Sequence, residues 1–174
     1  MNKYNIDLSH VLVKPLYMGL LINIFIPVLI LGIAYYLESE RAVEARMSAD
    51  DLNIFFWALA AVAIVDGGIA IILKQKRFFA PMIKSKETFA DDFAAGAYRI
   101  SILCYALTSS ISLYGLVFYV LGGTLAHLFF FVFVSFIAFQ LIRPRLGFLE
   151  KALAAQEKHV EEGRFAGSMG RRIS

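Results

Sequence analysis

Asp66 is the residue whose type and placement most clearly invite chemistry. It is a carboxyl group set within ALAAVAIVDGGIAIIL, Ala58 to Leu73, eight positions before Lys74. An acid at the middle of a bilayer costs about 2.5–3.5 kcal/mol on insertion scales, so it needs a partner or a task, and holding a proton or cation is such a task. Counting eight residues inward from Ile100 reaches Thr108, so Thr108 and Ser109 are expected at the depth of Asp66, with hydroxyls able to donate to its oxygens. Asp66, Thr108 and Ser109 are therefore the candidate ion-binding set.

No other group of residues suggests a reaction. His10, His127 and His159 fall in different segments, and no spacing joins them as ligands. The lone cysteine, Cys104, lies inside an apolar run, where it reads as a small core residue and supports neither a disulfide framework nor a metal site. The chain has no phosphate-binding glycine loop, no HExxH and no nucleophile elbow. The expectation is a protein that is not an enzyme, with no catalytic residue, metal or cofactor.

The elements that must position Asp66 follow from composition. Hydrophobic residues make up 59% of the 174 residues, charged residues 18%, and mean hydropathy is +0.67, outside the range of a soluble domain. Four apolar stretches, at about 16–37, 52–73, 100–121 and 125–142, reach or approach the ~20 residues that cross ~30 Å of hydrocarbon. The first is too long for the apolar core of a cleaved signal peptide and lacks a small-residue cleavage site after Leu37, so it is expected to stay. The predicted fold is all-α: a four-helix transmembrane domain over 1–143, a cytoplasmic amphipathic helix over 144–163 and a disordered basic tail over 164–174.

Charge sets the orientation, since cytoplasmic loops keep the lysines and arginines. Arg41 and Arg46 lie between the first two spans among five acids, and the other fifteen basic residues flank the opposite ends of the spans. Both termini are thus expected in the cytoplasm of a bacterial cell, with the chain in its inner membrane. These charges are spread over three membrane-flanking segments, which argues against a nucleic-acid partner and for the lipid bilayer as the first one.

Ser48-Ala49-Asp50-Asp51 and Thr88-Phe89-Ala90-Asp91 carry the hydroxyl-to-acid spacing of a capping box, placing helix starts ahead of the second and third spans. A third helix from Phe89 to Leu121 would be about 50 Å long and must project from the bilayer. Next to it, FFAPMIK is expected at the headgroup boundary through Phe78, Phe79, Met82 and Ile83. After Arg143-Pro144-Arg145, Leu146, Leu149, Leu153 and Val160 line one side of a helix that Gly163 would stop.

Ser101, Tyr105, Thr108, Ser112, Gly115 and Tyr119 recur at steps of three and four, so one face of the third span is mostly small or hydroxylated. The second span carries Ala60, Ala63, Gly67 and Ala70, and small residues let helix backbones approach closely. The second and third spans are therefore expected to be the closest pair, through Ala63, Gly67 and Ala70 against Thr108, Ser112 and Gly115.

ALTSSISLYGLV, Ala106 to Val117, resembles the second helix of the c subunit, the proteolipid of rotary ATP synthases, whose pattern runs roughly Ala-Leu-x-Glu-x-Ile-x-x-Tyr-Gly-Leu-Val. With the second span as first helix, the resemblance covers residues 58–123 and implies a hairpin with a cytoplasmic turn that carries ions and assembles into a ring. The family's ion-carrying acid falls on Ser109, so the resemblance implies ion transport only if Asp66 takes over. Three functions are expected in turn: a non-catalytic membrane subunit packed with other subunits or copies of itself, a c-like transport component using Asp66, and a lipid- or quinone-handling protein using the aromatic run His127 to Gln140.

Overall fold

The computed structural model describes Tyr4, residues 6–40 and residues 47–166, and every regular element among them is a helix. Four helices are long and apolar enough to cross a membrane: α1 (Leu8–Ser39), α2 (Ala49–Phe79), α3 (Phe89–Val120) and α4 (Leu125–Ile142). A shorter amphipathic helix, α5 (Leu146–Glu161), follows.

Side-chain capping explains where α1 and α2 begin. Asp7 accepts from the backbone N–H groups of Ser9 and His10 at 2.9 and 3.3 Å, starting α1 eight residues before its apolar run. At α2, the Asp51 N–H donates to Ser48 Oγ and the Ser48 hydroxyl donates to the Asp51 carboxylate at 2.6 Å. At α3 the hydroxyl of Thr88 donates not to Asp91 but to Asp92, at 2.8 Å, and the Lys84 N–H donates to the same Asp92 oxygen, which anchors the preceding loop. The turn between α3 and α4 closes on Gly122 with φ 111°, where a side chain would be strained.

α1 is interrupted by a π-helical turn, Leu21–Phe25. Pro27 lacks the N–H that would bond the Asn23 carbonyl, and its ring crowds that carbonyl, so a regular helix cannot pass through this point unaltered.

α3 is the central helix. α1, α2 and α4 all pack on it, while α1 and α2 make almost no contact with each other. A second core closes one end of the bundle, where Phe78, Ile83, Phe89, Phe93 and Ala97 pack against Leu149, Ala152, Leu153 and Val160 of α5, joined by Leu8, Val11 and Leu12 of α1. Gln156, fully buried, stitches this core: its Nε2 donates to the Phe78 and Ala80 carbonyls at 3.0 and 2.9 Å, and its Oε1 accepts from the Met82 N–H at 3.0 Å. These bonds satisfy the backbone just where α2 stops.

Phe78 and Ile83 are therefore core residues rather than headgroup-boundary residues, because α5 covers them. Leu146, expected on the packed side of α5, is exposed, and Ala152 and Gln156 take their places beside Leu149, Leu153 and Val160. Gly163 ends the helix with φ 71°. Of the expected disordered tail, Phe165 packs on the second core and the Ala166 N–H donates to Ile83 at 2.7 Å, while 167–174 lie outside the described residues.

Candidate functional site

Asp66 sits midway along α2 and is half-buried. Tyr114 Oη donates to its Oδ2 at 2.5 Å. Ser110 Oγ lies 3.4 Å from the same oxygen, but its hydroxyl points more directly at the Leu107 carbonyl of its own helix, 2.8 Å away. Asp66 Oδ1 has no donor among the described residues. The carboxylate is thus held through one oxygen by a phenol and is open at the other.

Thr108 and Ser109, expected to serve Asp66, serve α1 instead. Thr108 Oγ1 donates to Asn23 Oδ1 at 2.8 Å, and Asn23 Nδ2 donates back to the Gly19 carbonyl at 3.2 Å. Ser109 Oγ reaches the Ile22 carbonyl at 3.5 Å. The π turn of α1 is therefore pinned to the hydroxyl pair of α3. The depth count did not assign helix faces, and Ser110 and Tyr114 are the α3 residues that turn toward Asp66.

The small and hydroxylated stripe of α3 likewise packs into the groove between α1 and α4. Tyr105 lies against Gly19 and Phe139, with ring centroids of Tyr105 and Phe139 at 5.5 Å. Ser135 Oγ donates to the Thr108 carbonyl at 2.7 Å. The Ser112 hydroxyl turns back onto the Ser109 carbonyl at 2.7 Å. Gly115 meets Leu128 and Phe131 of α4. Tyr119 Oη donates to Glu38 at 2.6 Å, beside the Ala34 carbonyl of α1.

Of the expected α2 contacts, Ala63 packs with Ile111, and the Ala70 carbonyl accepts from Cys104 Sγ at 3.5 Å. A Cβ added to Gly67 would meet nothing within 4 Å. Ala63, Gly67 and Ala70 therefore do not interlock with Thr108, Ser112 and Gly115.

The histidines stay apart. His127 bonds Thr124 and packs against the rings of Phe56 and Phe118, and His159 bonds the Phe79 carbonyl. No group of three His, Cys, Asp or Glu side chains that could hold a metal occurs among the described residues. The residues missed in the sequence are Asn23 and Tyr114. An asparagine four residues before Pro27 within an apolar run was the available signal for the first; nothing in the spacing marked the second as a partner of Asp66.

No family model, curated protein or solved structure matches the chain.

Proposed function

We propose that the protein is a non-catalytic subunit of a larger assembly in a bacterial inner membrane, with both termini and α5 in the cytoplasm. The observation that carries this reading is the unequal use of α3. Three helices cover it, and its fourth face, with Leu103, Ala106, Leu113 and Val117 exposed, lies open between α1 and α2. Asp66, with one oxygen unused, stands at the rim of that face through its bond to Tyr114. The buried side chains of Asn23, Thr108 and Ser135, by contrast, hold helices to one another.

The orientation is supported by the ends that meet in the second core. They carry Lys14, Lys74, Lys76, Arg77, Lys84, Lys86, Arg143 and Arg145, a cytoplasmic signature. An impermeant maleimide should label Asp50→Cys in whole cells and Lys158→Cys only after permeabilisation; the reverse order overturns the orientation. Cys104 is buried and silent in this assay.

Mild detergent extraction followed by size exclusion with light scattering tests the subunit reading. Unlike chains in fixed ratio are expected to accompany the protein, and a solitary monomer would refute it. The second reading, ion carrying at Asp66, is favoured by the same half-open carboxylate. Asp66→Asn separates the two: it keeps shape and the Tyr114 contact, so loss of energisation in a fully formed complex selects transport, and loss of the complex selects assembly.

A further inference from the structure

Resting on the subunit reading, we infer that the open face of α3 receives a transmembrane helix of a partner protein carrying a lysine or arginine at mid-depth, which pairs with Asp66. On α3, Leu103, Ala106, Ser110, Leu113 and Val117 follow one another at steps of three and four, so they form one continuous face, and Tyr114, four residues after Ser110, edges it on the side of Asp66. Asp66 borders it halfway along. Ala106 and Ser110 are small, leaving room for a helix to approach.

Charge complementarity selects the occupant. Across residues 16–37, 52–73, 100–121 and 125–142 the chain has no lysine or arginine, and its one histidine there, His127, packs against Phe56 and Phe118. Phe56 is ten residues from Asp66 on α2, about 15 Å. Thus no cation among the described residues pairs with Asp66, a second copy would bring only a like charge to the same depth, and lipid tails carry no donor. The bond from Tyr114 fixes the rotamer of Asp66 and leaves Oδ1 free to accept from an ammonium or guanidinium. An acid with one oxygen committed and one bare, on an uncovered helix face, is half of an intramembrane ion pair.

The test reconstitutes the full chain in phosphatidylcholine vesicles with a synthetic polyleucine transmembrane helix bearing one central lysine, and follows association by fluorescence energy transfer. The same helix without lysine is the reference. The lysine helix is expected to bind at least about tenfold more tightly, equivalent to about 1.4 kcal/mol. Asp66→Asn should abolish that preference, and Ala106→Trp, which blocks the face without touching the acid, should reduce it. Circular dichroism of both variants should match the parent protein. Equal binding of the two helices, or a preference that survives Asp66→Asn, overturns the inference. If unlike chains accompany the native protein but the lysine helix shows no preference, this inference alone falls; if the native protein is a solitary monomer, the subunit reading falls with it.

Discussion

Gly19→Leu is expected to lower the melting temperature of the detergent-solubilised protein by about 6–12 °C, read by circular dichroism at 222 nm. A single Cβ at this position would lie 2.7 Å from Tyr105 Cζ and 2.8 Å from Phe139 Cε2. Such distances require a shift, and the neighbours cannot provide one: both rings are fully buried and pack edge to face. Overpacking of this kind costs about 3 kcal/mol at the upper end of its usual range, and a chain of this size loses about 2–4 °C per kcal/mol. Gly19 also presents the carbonyl that receives the Asn23 amide, so displacing α1 loosens the Asn23–Thr108 bond. Gly96→Ala is the control. Its Cβ would be equally near Met82 Sδ, at 2.7 Å, but a flexible thioether end can move aside, so melting should hardly change. Unchanged melting in Gly19→Leu would show that α1 is not seated on Tyr105.

The difference between these two glycines shows how far the sequence could be read. Apolar run length located all four long helices, because the ~20-residue requirement of a bilayer is a property of each segment alone. Ser48 and Gly163 marked helix ends for the same reason: caps are local. The extension of α1 to Leu8 rests on Asp7, a local signal that hydropathy overlooks.

What escaped was relational. The period of Tyr105, Thr108, Ser112, Gly115 and Tyr119 shows that these residues share a face, but any of three neighbours could have covered it. The small residues Ala63, Gly67 and Ala70 suggested α2, whereas the Gly122 turn brings α4 directly back along α3, and the π turn brings Asn23 to the Thr108 hydroxyl. For the candidate site, Asp66 was visible because its cost depends only on depth. Its donors were not, since Ser110 differs from Ser109 by rotation about α3 and Tyr114 lies a further four residues, about 6 Å, along it. Likewise, the polar closure of α2 by Gln156 links residues 78 positions apart and has no local signature.

Gly115→Leu and Gly67→Leu should therefore behave oppositely, although both are glycines of apolar helices on faces expected to touch. At Gly115 a Cβ would meet Phe131 Cβ at 2.8 Å, Leu128 Cδ1 at 3.0 Å and Leu128 Cα at 3.3 Å. Two of these atoms are backbone or next to it, so α4 itself must retreat, and the cost is expected to be about 3 kcal/mol or more, with reduced membrane accumulation. At Gly67 nothing lies within 4 Å of the new Cβ, and the side chain would enter a groove of about 330 Å³ between α2 and α4, lined by Ile64, Ile71, Val134, Ile137, Ala138 and Leu141. Leucine there also restores helix propensity, worth about 0.8 kcal/mol over glycine in a peptide helix. Melting of Gly67→Leu should match or exceed the parent, and any defect should appear only in the size of the native assembly, because the groove faces outward. The pair distinguishes two arrangements of the same sequence. If α3 lays its small-residue stripe on α4, Gly115 alone is intolerant; if it lay on α2, both substitutions would disrupt one interface and their melting losses would be alike.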